Sequence, residues 1–120
     1  MKNVRKLLEF YAKGLRLASW KFDVVVDSGQ HMPEGHLGMC NFNTCYETAT
    51  IWLRDESTHP KQVADGGGTE NTLIHELLHI VLNPLWHQVA DDSLEYQLRE
   101  QAIDRITNLV LETKYRGKNG

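Results

Sequence analysis

Cysteine is scarce: the 120 residues hold two, Cys40 and Cys45, too few for a disulfide scaffold. Long hydrophobic runs are missing as well. Nowhere do about 18 apolar residues follow one another, so no membrane span is expected. The opening MKNVRKLLEFY sets Arg5, Lys6 and Glu9 among its apolar positions. A secretory signal needs an uninterrupted apolar stretch there, and the reducing cytoplasm is therefore the expected compartment. Positive charge is not in excess either. A net charge of −3 argues against a general nucleic-acid binder, which would be basic. The triplet Gly66-Gly67-Gly68 lacks the lysine of a phosphate-binding loop and reads as the end of a polar loop, with a hinge as its functional alternative. What is present is 41 % hydrophobic and 24 % charged residues, too apolar for disorder. The length fits one domain spanning residues 1–120.

Apolar residues at Val4, Leu7, Leu8, Tyr11, Leu15 and Ala18 follow the spacing of an amphipathic helix over 3–18. The segment Trp20 to Val26 is rich in β-formers and predicts a strand. Residues 28–38 carry Gly29, Pro33, Gly35 and Gly38, a loop composition. Leu37–Phe42 and Thr48–Leu53 predict two further strands, a hairpin turned near Asn41 to Thr44. A long polar loop follows from Asp55 to Gly68. Thr69 is a plausible N-cap for a helix that Asn83-Pro84 should stop. Asp91-Asp92-Ser93 can cap a last helix reaching about Tyr115, with Leu94, Leu98, Ala102, Ile106, Leu109 and Val110 expected on its buried side. The order α-β-β-β-α-α defines an α+β fold: an N-terminal helix, a small three-stranded sheet and two C-terminal helices.

The chemistry concentrates in His75-Glu76-Leu77-Leu78-His79, an H-E-x-x-H motif inside the first of those two helices. Histidines four apart project from one face and can bind one metal ion. At about 100° per residue, His79 falls about 40° and Glu76 about 100° from His75. Thr72 and Asn83 share that arc, while Leu73, Ile74, Leu77, Leu78, Ile80, Val81 and Leu82 fill the rest of the circle. A buried helix with a single polar stripe is what a metal cleft requires, and a chance motif on an exposed helix would not show it. Catalytic zinc takes three protein ligands and keeps one position open. Glu95, Glu100, His87 and His59 are candidates for the third. Glu100 is followed four residues later by Asp104 on the same helix face. The first carboxylate would bind metal, and the second would accept the free ring N–H of a ligating histidine.

H-E-x-x-H followed about twenty residues later by E-x-x-x-D, here Glu100-Gln101-Ala102-Ile103-Asp104, resembles the gluzincin metallopeptidases. The short length resembles their minimal members, the minigluzincins. A looser similarity links it to ImmA/IrrE-type phage and bacterial peptidases. The resemblance implies a minimal zincin-like fold and one Zn2+ per chain, with His75, His79 and Glu100 as ligands. It makes Glu76 the general base and Asp104 the residue that orients a zinc-binding histidine. It also implies that a strand edge, here Thr48–Leu53, receives an extended protein or peptide substrate. Tyr46, Tyr96, His87 and His59 are the candidates for a second oxyanion donor. The expected activity is zinc-dependent endopeptidase cleavage, latent or partner-dependent in so small a cleft. The rivals are a non-catalytic zinc-bound peptide-binding or regulatory module and a zinc hydrolase of non-peptide amides. Cys40 and Cys45 read as free or buried thiols, and Trp20, Trp52 and Trp86 as core or cleft wall.

Overall fold

A computed structural model describes residues 4–28, 32, 36–55, 68–86 and 93–119. They form α1 (Val4–Gly14), β1 (Lys21–Asp27), β2 (Gly38–Asn43), β3 (Thr48–Arg54), α2 (Thr69–Trp86) and α3 (Leu94–Asn119), the α+β order expected. Among the described residues no helix is long and apolar enough to cross a membrane. His59, Pro60, His87, Asp91, Asp92, Gly66 and Gly67 lie outside the described residues, as does the side chain of Trp86.

The first helix ends earlier than its apolar spacing predicts. Arg16 takes a left-handed conformation at φ 65°. Its N–H donates to the Lys13 carbonyl at 3.1 Å, and the Leu17 N–H donates to the Ala12 carbonyl at 2.7 Å. Those two bonds close the helix end and fold Leu17 back into the core beside Ala12. Ala18, expected on the apolar face, is exposed in consequence.

In the sheet, Phe22, Val24 and Val26 of β1 turn inward while Lys21, Asp23 and Val25 turn out, the period-2 pattern of a strand covered on one face. The strand order is β1-β3-β2, with β3 parallel to β1 and antiparallel to β2. This overturns one expectation. Thr48–Leu53 offers no free edge, because it is the central strand and is paired on both sides. Its Ala49, Ile51 and Leu53 are the most deeply buried inner-face residues of the sheet, and the centre of a sheet is where an apolar strand gains most from burial. The edge strand lying against α2 is β2. The hairpin turn also falls later, at residues 44–47. There the Asn43 side-chain oxygen accepts the N–H groups of Cys45 and Tyr46 at 2.9 and 3.2 Å, an Asx turn.

Helix α2 lies between the sheet, α1 and α3. Leu73, Ile74, Leu77, Leu78 and Ile80 are all buried, so the helix is enclosed nearly all round, as its composition requires. Its cap falls one residue before Thr69: the Gly68 carbonyl accepts the Thr72 N–H at 3.0 Å and the Thr72 hydroxyl at 3.1 Å. Pro84 does not stop the helix, which runs on to Trp86. Proline removes one hydrogen bond to the carbonyl four residues back, and in the last turn that loss is small.

Helix α3 starts where expected, its Ser93 hydroxyl accepting the Tyr96 N–H at 3.0 Å. Its buried face is the expected one in part: Ala102, Ile106 and Val110 are half-buried, Ile106 and Val110 against the core. Leu94, Leu98 and Leu109 are exposed, whereas Ile103 and Thr107 are completely buried. Helix α3 is turned so that Glu100, Ile103, Thr107 and Lys114 meet α2, because polar groups on α2 demand partners that leucines cannot supply.

One of those groups is Glu70, only 4 % exposed. Its carboxylate accepts hydrogen bonds from the hydroxyls of Tyr11 and Tyr115 and from Lys114 Nζ at 2.6 Å. Burial alone would raise its pKa, but these three donors together pull it from 4.5 down to about 2. The cluster joins α1, α2 and α3 around one buried charge. With the folded-state pKa depressed, its contribution to stability is complete above pH 4.5 and is lost as pH falls towards 2. At pH 7 the Glu70→Gln protein should be less stable by on the order of 3 kcal/mol, at about 1.4 kcal/mol per pKa unit. Urea unfolding of both proteins between pH 7 and pH 3 should show the gap narrowing below pH 4.5.

Candidate metal centre

Helical geometry brings His75 and His79 to one side of α2, with ring centroids 5.0 Å apart. Helix α3 runs antiparallel to α2, since Glu70 meets Lys114 while His79 meets Glu100. That packing inserts Glu100 between the two histidines. His75 Nε2 is 3.3 Å from Glu100 Oε1, and His79 Nε2 is 3.4 Å from Glu100 Oε2. One ligand atom from each of the three residues lies within 4.8 Å of the others. In a tetrahedral site with bonds of about 2.05 Å, neighbouring ligand atoms stand about 3.4 Å apart. The two histidine–glutamate separations match that value, and two imidazoles with one carboxylate are a donor set that fits one zinc ion.

Asp104 occupies the place expected of it. Its Oδ1 accepts the His75 Nδ1–H at 2.9 Å. This fixes the tautomer that leaves Nε2 directed at Glu100, the arrangement by which a carboxylate orients a metal-binding imidazole. The electrostatics agree. Burial disfavours a charged His75, but the hydrogen bond to Glu100 and the charges of Glu76, Glu100 and Asp104 outweigh it and raise its pKa. Glu100 is pushed up by burial, yet the two histidines hold it well below the usual carboxylate range. Negative charge thus converges on the imidazoles, as a cation site needs.

Glu76 is buried, and its pKa is raised chiefly by that burial. His79 and His75 pull the other way, and Glu100 adds to the rise. It borders β2, where a Cβ on Gly38 would collide with Thr72 Cγ2 and lie 3.4 Å from Glu76 Cγ. Gly38 is what lets β2 come this close to α2. Cys40, also on β2, is pushed up to about 12 by burial and by the charge of Glu76. It is a protonated thiol at neutral pH, neither a thiolate ligand nor a nucleophile.

The other candidates stand outside the His75, His79 and Glu100 cluster or go undescribed. Glu95 is exposed on α3 and takes no part in the cluster. His59 and His87 lie outside the described residues. Tyr46 stands 78 % exposed in the hairpin turn, and the Tyr96 ring lies under the Arg99 guanidinium at 4.6 Å. Both cysteines are free. Trp20 packs with Phe22 and Phe42, and Trp52 is half-buried on the sheet. Sequence reasoning missed Gly38 and Arg99, whose Nε donates to Glu100 Oε2 at 3.2 Å. A glycine at a strand start and an arginine before a glutamate give no signal until the elements are packed.

Compared with protein-family models, with curated proteins and with solved structures, the chain matches none.

Two outcomes test the centre. Glu100→Ala should lose zinc while Glu95→Ala retains it, and Asp104→Ala should weaken zinc affinity about 10–100-fold. Metal content by mass spectrometry and competition with a chelating dye measure both. A Gly38→Ala substitution should cost about 1–3 kcal/mol by overpacking, read as a lower urea midpoint.

Proposed function

We propose that the protein is a zinc-dependent metallopeptidase that hydrolyses peptide bonds in an extended protein or peptide substrate. The observation that carries this reading is the convergence of His75, His79 and Glu100, one ligand atom of each within 4.8 Å of the others, with Asp104 holding the outer nitrogen of His75. The resemblance of H-E-x-x-H and E-x-x-x-D to the gluzincins supports it, now joined to a geometry that neither motif contains by itself.

His75, His79 and Glu100 would hold the ion. When bound, zinc supplies Lewis acidity that makes water nucleophilic near neutral pH and polarises the scissile carbonyl. Glu76 supplies the base. Burial has already raised its proton affinity, which favours taking a proton from water over remaining a bare carboxylate. As the water oxygen bonds to the carbonyl carbon, Glu76 accepts its proton, and it delivers that proton to the nitrogen when the C–N bond breaks. Asp104 keeps His75 in the ligating tautomer throughout.

The substrate would lie along β2. The Arg54 N–H donates to the Leu37 carbonyl at 2.8 Å. In the antiparallel register, residues 39, 41 and 43 then pair with β3 in the same way. Gly38, Cys40 and Phe42 are left with main-chain groups directed outwards. An extended peptide can add to such an edge as a further strand, beside Glu76. Two free thiols are in keeping with a reducing, cytoplasmic setting.

The test is Glu76→Gln. This protein should keep one zinc per chain and lose peptide hydrolysis by a factor of at least about 100, the scale of general-base catalysis. Unchanged hydrolysis would contradict the mechanism. Zinc binding with no hydrolysis of any peptide by the wild type would favour the non-catalytic module instead.

A further inference from the structure

The sheet has two edges, and the metal centre stands beside one of them. Among the described residues the other edge is β1, since the strand order is β1-β3-β2. Two bonds fix the direction of its main-chain groups. The Lys21 N–H donates to the Glu47 carbonyl at 2.9 Å, and the Asp27 carbonyl accepts the Asp55 N–H at 2.6 Å. In the parallel register, residues 21, 23, 25 and 27 therefore direct their main-chain groups to β3. Those of Phe22, Val24 and Val26 point away from the sheet. A contact from outside agrees: Arg5 Nη1 donates to the Phe22 carbonyl at 2.8 Å.

We propose that β1 is the surface on which two copies of this chain associate. The strands pair antiparallel across a two-fold axis at Val24, joining two three-stranded sheets into one. The first support is the pattern of main-chain groups. Opposed residues of an antiparallel pair exchange both bonds only when each points its groups at the other. An axis at Val24 sets Val24 opposite the partner's Val24, and Phe22 opposite the partner's Val26. All of these point outwards, so about six main-chain hydrogen bonds form. Arg5 does not close the edge, because its side chain is exposed and a carbonyl oxygen has a second lone pair.

The second support is charge. The same axis places Lys21 opposite the partner's Asp27 at both ends, and Asp23 opposite the partner's Val25. These are the pairs without main-chain bonds, whose side chains approach most closely. Asp27 keeps its contacts within its own chain, since a carboxylate has about four acceptor sites. Moving the axis to Asp23 would set two carboxylates face to face. Moving it to Val25 would set Asp23 against the partner's Asp27 twice. Like charges directly opposite are destabilising, so charge selects the axis at Val24.

The third support is packing. Phe22, Val24 and Val26 lie half-buried against the core. Across the junction, Phe22 would meet the partner's Val26 and the two Val24 side chains would meet each other, pairings that favour a sheet. Proline and bulges, which blunt an edge, are absent from β1. Association here leaves both β2 edges and both metal centres at the far ends of the joined sheet. It does not depend on the peptidase reading.

Sedimentation of the purified wild-type chain at rising concentration tests the proposal, and a monomer–dimer equilibrium is expected. Lys21→Asp sets like charges opposite each other at both ends and should raise the dimer Kd about 5- to 30-fold. Arg105→Glu makes the same change of net charge on the exposed face of α3 and should leave Kd within about twofold of wild type. Val24→Pro removes an N–H that the β3 ladder does not use and should abolish the dimer while far-ultraviolet circular dichroism stays that of the wild type. If that variant does not fold, the exposed Lys21 still decides. A chain that stays monomeric at millimolar concentration, or a dimer that Lys21→Asp weakens no more than Arg105→Glu does, would overturn the proposal. A wild type that dimerises as described but holds no zinc would overturn the metal reading and leave this one standing.

Discussion

Helix α2 must be buried on nearly every side, and it carries charge. Leu73, Ile74, Leu77 and Leu78 commit it to the interior, yet Glu70, His75, Glu76 and His79 go in with them. A buried ionisable group without a partner costs several kcal/mol. The rest of the chain is arranged around meeting that demand. Helix α3 answers it twice, with Lys114 and Tyr115 at Glu70 and with Glu100 and Asp104 at the histidines. Helix α1 contributes Tyr11. The exposed leucines of α3 follow from the same demand, since a helix turned to place Glu100 and Lys114 inward must place Leu98 and Leu109 outward.

The two charged clusters on α2 differ in kind. At Glu70 one carboxylate faces one ammonium and two hydroxyls, a set that closes on itself. At His75 and His79 the surplus is negative: two imidazoles sit among Glu76, Glu100 and Asp104. The first cluster fastens three helices. The second is a charge distribution that a divalent cation would complete, and it stands beside an open strand edge. This contrast within a single helix separates a structural charge network from a site suited to chemistry.

Much of this was legible in the residues. Periodicity located all six elements, and the wheel of α2 isolated the stripe His75, Glu76, His79. The i,i+4 spacing of Glu100 and Asp104 marked the helix that meets it. What stayed hidden depended on packing between elements distant in sequence. The apolar residues of α3 lie on two faces, and only the polar needs of α2 decide which one turns inward. Strand order was equally hidden. An alternating strand looks the same at the centre or the edge of a sheet, so the exposed edge passed from Thr48–Leu53 to β2 only once β1 was seen to pair parallel to β3. Gly38 and Arg99 acquire meaning through what they touch, and no local pattern announces that.

The central claim is that His75, His79 and Glu100 form one zinc site. Zinc stoichiometry of the purified wild-type chain, beside the His75→Ala/His79→Ala double variant, tests it most directly. One zinc per wild-type chain and none in the double variant is the predicted result. A folded wild-type chain that takes up no zinc when the metal is supplied would contradict the account.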